Sequence, residues 1–197
     1  MKKIAVLTSG GDAPGMNACI RAIVKSCLHF DMQCIGIING FQGLIDQKSC
    51  TLSYNDVNNI IQRGGTILGT ARSKDFRTVE GRQKAIHYLK QLKVEALIVI
   101  GGDGSYRGAL ALHELGVQTI GIPGTIDNDV YGTDTTIGFN TALNTIVEAI
   151  DKLRDTSSSH RRCSIIEVMG RTSGDLALYA GICGGAEFII TPENPLN

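Results

Sequence analysis

The feature that most constrains this chain is an alternation: short β-branched runs take turns with longer segments of helical period. Strands are predicted at 4–8, 34–38, 96–100, 119–122, 164–168 and 188–191. Several of these are continuous apolar runs, the pattern of parallel strands covered on both faces. Helices are predicted near 17–29, 80–92, 105–115, 139–154 and 174–183. The stripe Phe139, Leu143, Ile146, Val147, Ile150 and Leu153 shows the helical period best. Strands and helices in this order predict an α/β fold with a doubly wound, mostly parallel sheet. The polar stretch 155–162 is the nearest thing to a boundary, and the residues C-terminal to it are expected to start a second lobe.

Composition narrows the function classes. Nineteen basic residues balance nineteen acidic ones, so nothing favours a nucleic-acid or other polyanionic partner. No apolar stretch approaches the ~18 residues of a membrane span, and the run 4–7 is too short for a signal-peptide core. A cytoplasmic protein with no membrane partner is expected. Six cysteines, at 19, 27, 34, 50, 163 and 183, include no CxxC pair and read as reduced thiols.

In open α/β sheets, ligands bind at the carboxyl ends of strands, where helix N-termini turn backbone N–H groups outward. The informative residues fall there. Ser9-Gly10-Gly11-Asp12 follows the first strand, Gly101-Gly102-Asp103-Gly104-Ser105 the third, Pro123-Gly124-Thr125-Ile126-Asp127-Asn128-Asp129 the fourth and Met169-Gly170-Arg171 the fifth. Adjacent glycines let the backbone approach phosphate oxygens and present N–H donors. Asp103, at a helix start, suits a hydrated magnesium ion on a nucleotide. Asp127 and Asp129, which flank one asparagine, favour different roles: one accepts a proton and one stands near the metal. Arg72 and Arg171 suit charge neutralisation on a phosphoryl group in transfer. Gly102 to Gly108 misses the dinucleotide fingerprint by one residue, and no GxxxxGK[ST] occurs. Three glycine–aspartate loops on one strand edge point to magnesium-dependent phosphoryl chemistry.

LTSGGDAPGMNA at 7–18, GGTILGTARS at 64–73, GGDGS at 101–105, PGTIDND at 123–129, GTDTTIGFNTA at 132–142 and EVMGR at 167–171 together resemble the bacterial 6-phosphofructokinases. The resemblance implies a phosphofructokinase-like fold and transfer of the ATP γ-phosphoryl group to the 1-hydroxyl of fructose 6-phosphate, in glycolysis, with Mg2+. By the same resemblance Gly11, Arg72, Ser73, Gly102, Asp103, Gly104 and Ser105 hold ATP, with the metal at Asp103 and Asp129. Asp127 is the implied base, with Thr125, Arg72 and Arg171 at the transferring group. Thr125, Ile126, Asp127, Arg162, Met169, Gly170 and Arg171 line the implied sugar-phosphate site, Arg162 reaching across from a neighbouring subunit of a homotetramer. Arg21, Lys25, Arg154, Gly185, Ala186 and Glu187 match the family's site for an ADP or phosphoenolpyruvate effector.

The chain departs from the family at three effector positions: Lys25 for arginine, Tyr54 for arginine and Asn59 for aspartate. Pyrophosphate-dependent relatives typically place aspartate and lysine where this chain has Gly104 and Gly124, so ATP is the expected donor. NAD and lipid kinases share a GGDG loop but not PGTIDND with the downstream MGR. Family members are over a hundred residues longer. The reading is therefore an ATP-binding domain at 1–138 lacking its return segment, then the first part of a sugar-phosphate domain at 139–197. On that reading the isolated chain is an inactive fragment that self-associates; a non-catalytic nucleotide-binding fragment is the alternative.

Overall fold

The computed structural model describes residues 1–195. The sheet runs β3-β2-β1-β4-β5. Its members are β1 (Lys3–Thr8), β2 (Gln33–Ile37), β3 (Ser49–Leu52), β4 (Ala96–Gly101) and β5 (Gln118–Pro123). β1 pairs in parallel with β2 and β4, and β4 with β5; only the edge strand β3 is antiparallel. The four parallel strands are the first four that the apolar runs predict, each within a residue or two.

Alternate residues of each strand face opposite ways. Ala5, Leu7, Ile35, Ile37, Leu97 and Val99 share one core with Phe41, Leu44, Ala85, Ile86, Leu89, Ala109 and Leu112. The last seven come from α2 (Gly40–Ile45), α3 (Val79–Gln91) and α4 (Asp103–His113). Phe41 stacks on Phe76 of a short 3-10 turn, ring centroids 4.2 Å apart, tying α2 to the approach of α3. The Thr78 hydroxyl caps α3 by accepting from the Gly81 N–H at 3.0 Å. The opposite parity, Val6, Cys34 and Ile100, is also buried, and the buried stripe Met16, Ile20, Val24 and Cys27 of α1 (Met16–His29) covers it. Helices thus lie on both faces, as a doubly wound sheet requires. On the α1 side the cover thins toward β5, where Ile120 is 55% exposed.

Residues compact into two units, Met1–Gly124 and Thr125–Asn197. The segment 125–138 goes with the later residues for a local reason: Gly138 N–H donates to Thr125 O at 3.1 Å, and Thr136 N–H to Asn128 Oδ1 at 2.9 Å. The second unit is built on α5 (Phe139–Ser159) and α6 (Asp175–Gly184). Phe139 packs edge-on against Tyr179, and Gly184 admits Ile150, whose methyl a Cβ there would meet at 2.7 Å.

Three expectations are corrected. Neither 164–168 nor 188–191 forms a strand: a strand needs a ladder, and among the described residues 164–168 has none, while 188–191 makes only the isolated bridge of Thr191 with Asn194. Ile165 is 95% and Phe188 89% exposed. The polar stretch 155–162 is not a break until its end, because α5 runs to Ser159. Ser157 and Ser159 turn their hydroxyls back onto the carbonyls of Leu153 and Asp155, both at 2.8 Å.

Candidate active site

At the carboxyl end of β1, Gly10 and Gly15 each adopt φ 88°, a left-handed conformation that glycine takes without strain. Gly101 is glycine for another reason: a Cβ would stand 2.5 Å from the Ser9 carbonyl oxygen. Gly11 and Gly104 differ from all of these. Neither has a positive φ, and an added Cβ at either would meet nothing within 4 Å. Nothing in the chain itself demands glycine there, so the space suits a ligand.

Gly102 precedes α4, whose first turn holds Asp103, Gly104 and a buried Ser105. The free N–H groups and positive dipole end of that turn favour an anion. The half-exposed Asp103 carboxylate pairs with Arg107 at 3.0 Å. Magnesium on a nucleotide is held by one or two carboxylates plus phosphate oxygens and water, so a single aspartate here fits the ion. Arg72 is exposed, and Ser73, whose hydroxyl accepts the Phe76 N–H at 3.1 Å, still has its hydroxyl hydrogen to donate.

In the second unit, Asp127 follows Thr125, whose hydroxyl accepts its N–H at 3.2 Å. Asn128 sits at φ 54°, which side chains other than glycine, asparagine and aspartate rarely tolerate. Its amide is tied at both ends: Nδ2 donates to Asp175 Oδ2 at 2.8 Å, and Oδ1 accepts Thr136 N–H at 2.9 Å. This clamp fixes the turn that separates Asp127 from Asp129. Burial, and then the charge of Asp129, push the Asp127 carboxyl above its ordinary value near 3.8, with Arg171 opposing them. Arg171 itself holds φ 59°, after a buried Gly170 at φ 140°. A carboxylate that holds a proton more tightly than a surface aspartate is better suited to general-base work.

The structure thus places Asp129 and Arg171 where their charges act on Asp127, within one unit. Met169, two residues before Arg171, is 74% exposed, and Ile126, next to Asp127, is half-buried. Arg162 stands exposed beyond the end of α5. The effector candidates fall in two groups. Arg21 and Lys25 lie on α1, with Lys25 Nζ 5.4 Å from the centroid of the Tyr54 ring. In the second unit Arg154 donates to Gly185 O at 3.1 Å, where Gly185 closes α6 at φ 64°. Sequence reasoning passed over Asn128 and Asp175. An asparagine between two acids in a glycine- and proline-rich turn was the available signal.

A family model described as Phosphofructokinase matches residues 3–197. The chain is 60% identical over 194 residues to the ATP-dependent 6-phosphofructokinase of Macrococcus caseolyticus, covering 98% of this chain and 61% of that one. It is 61% identical over 197 residues to ATP-dependent 6-phosphofructokinase 1 of Clostridium perfringens, covering 100% of this chain and 62% of that one. Among solved structures, phosphofructokinase from Saccharomyces cerevisiae superposes with a TM-score of 0.88 at 40% identity, over 92% of this chain and 28% of that one. The chain spans about six-tenths of the length of the curated relatives it matches. It belongs to the phosphofructokinase family.

Proposed function

We propose that this chain carries the donor loops and the catalytic base of an ATP-dependent 6-phosphofructokinase. Supporting this above all is the half-buried Asp127, whose affinity for a proton is raised by burial and by Asp129 while Arg171 stands by to oppose excess charge. Asp127 accepts the proton of the fructose 6-phosphate 1-hydroxyl as that oxygen attacks the γ-phosphorus of ATP; the bond to the β–γ bridging oxygen breaks, and ADP leaves. Arg171, Arg72 and the Thr125 hydroxyl stabilise the oxygens of the group in transfer. N–H groups of the Gly11 turn and of residues 102–105 hold the phosphates, with Ser73 beside them. Asp103 of the first unit and Asp129 of the second are each candidate ligands for Mg2+, which would supply charge neutralisation on the polyphosphate. The sugar phosphate is held by Thr125, Ile126, Asp127, Met169, Gly170 and Arg171, with Arg162 supplied from a neighbouring subunit of a homotetramer.

The open space at Gly104 supports a nucleotide over pyrophosphate as donor; Gly124, the other glycine on which that expectation rests, is instead packed close, with Ile100 Cγ2 2.6 Å from where a Cβ would stand. At the effector positions, Lys25 faces the uncharged Tyr54 ring where the family has a second cation, which supports a weak response to ADP or phosphoenolpyruvate. No helix among the described residues is long and apolar enough to cross a membrane. Membership of the family supports action in the cytoplasm.

The test joins this chain to the C-terminal part of the Clostridium perfringens relative and follows fructose 1,6-bisphosphate formation in a coupled assay. ATP should support turnover and pyrophosphate should not; comparable rates with both overturn the donor assignment. Asp127→Asn should lower the rate ~10²–10⁴-fold. Near-normal turnover of that variant removes Asp127 as the base.

A further inference from the structure

Residues 58–74 hold neither helix nor strand, yet they deliver Arg72 and Ser73 to the first unit's strand edge. Side chains do the fastening. Asn17, 2% exposed, uses its whole amide: Nδ2 donates to Arg63 O at 3.0 Å and Gly64 O at 3.1 Å, and Oδ1 accepts Ile67 N–H at 2.8 Å. The fully buried Thr8 hydroxyl donates to Gly69 O at 2.9 Å and accepts from Thr66 Oγ1 at 2.9 Å. The strap is thereby held rigid up to Gly69. The next residue, Thr70, donates its hydroxyl to Gly10 O at 2.7 Å.

That last bond falls on the peptide joining Gly10 to Gly11. A trans peptide is planar, and its C=O and N–H point in opposite directions; among the described residues no peptide is cis. Holding the Gly10 carbonyl toward Thr70 therefore aims the Gly11 N–H away from the strap. A peptide flanked by two glycines is also the easiest kind to rotate, since neither residue has a Cβ to bar the alternative orientation. Gly11 has open space around it, so packing does not choose the orientation either.

We propose that Thr70 is a positioning residue for the nucleotide donor: its hydroxyl locks the Gly10–Gly11 peptide so that the Gly11 N–H is already aimed when the phosphates arrive. Asn17 and Thr8 act one step back, by holding the strap that carries Thr70. The inference rests on the reading of Gly11 as a nucleotide ligand. It adds a residue sixty positions away whose hydroxyl hydrogen is given to the Gly10 carbonyl.

Thr70→Val removes the hydroxyl and keeps the shape at a half-buried site, so the fold survives. MgATP titration of the chain joined to the C-terminal part of the Clostridium perfringens relative should show about two- to tenfold weaker binding for Thr70→Val, the worth of one lost hydrogen bond. Thr70→Ser should restore wild-type affinity, because it restores the donor. In 15N relaxation measurements without nucleotide, the Gly11 amide should broaden in Thr70→Val and sharpen again in Thr70→Ser; a purely structural threonine would show no such localised exchange. A wild-type joined chain that binds MgATP while Thr70→Val binds it equally tightly, with a sharp Gly11 amide, overturns the inference alone. A wild-type joined chain that binds no MgATP overturns the donor reading and this inference with it.

Discussion

Replacing Gly104 by aspartate separates what the fold needs from what the ligand needs. Gly104 is the second residue of α4, and a Cβ there meets nothing within 4 Å. Aspartate is a better helix residue than glycine by a few tenths of a kcal/mol, and a carboxylate in a first helical turn gains about 0.3–1 kcal/mol from the dipole. Repulsion from the adjacent, half-exposed Asp103 offsets part of that. The melting temperature of Gly104→Asp should therefore stay within about 2 °C of wild type. The nucleotide meets the opposite situation. One negative charge about 5 Å from a phosphate costs about 3 kcal/mol at an effective dielectric constant of about 20, or roughly a hundredfold in affinity. Thermal denaturation and MgATP titration of the same preparation read both numbers. The matching change at Gly124 is the contrast: a Cβ there stands 2.6 Å from Ile100 Cγ2 and 3.3 Å from the Gly101 nitrogen. Gly124→Ala should cost about 1–3 kcal/mol through overpacking, whatever the ligand does. A Gly104→Asp chain that binds MgATP within about threefold of wild type refutes the reasoning; so does one that unfolds well below it.

The second unit supports two further predictions. Because the Asp127 carboxyl is raised by burial and by Asp129, its favourable contribution is present at low pH and is lost as pH rises through its folded value. Asp127→Asn should therefore raise the melting temperature at pH 7, and the gain should shrink as pH falls toward the ordinary value near 3.8; an equal gain at both ends would contradict the sign. Asn128→Ala loses two hydrogen bonds and leaves at φ 54° a residue that tolerates the left-handed region less well than asparagine, which together cost about 2–4 kcal/mol in denaturant unfolding. Asn128→Gly should recover the backbone part only, and an alanine variant as stable as the glycine variant would show that the left-handed turn stores no strain.

Much of this protein is legible in its sequence because the governing interactions are local. The runs at 4–8, 34–38, 96–100 and 119–122 are strands because uninterrupted apolar residues must be covered on both faces, and the helices appear at their period. The glycine–aspartate loops fall at strand ends for the same reason, and their motifs carry the family. What needed the tertiary structure was whatever depends on a distant partner. Ser49–Leu52 has no strand signal of its own and becomes one only by pairing with β2, whereas 164–168 has the signal but no ladder among the described residues. Gly101 and Gly104 look alike in sequence; only their surroundings show that one makes room for Ser9 and that the other faces open space. The proton affinity of Asp127 depends on burial and on Arg171, and the aim of the Gly11 N–H on Thr70, both far away in the chain. Local periodicity can specify an element and its end, but the energy of a carboxylate or a peptide dipole is set by the atoms folded against it.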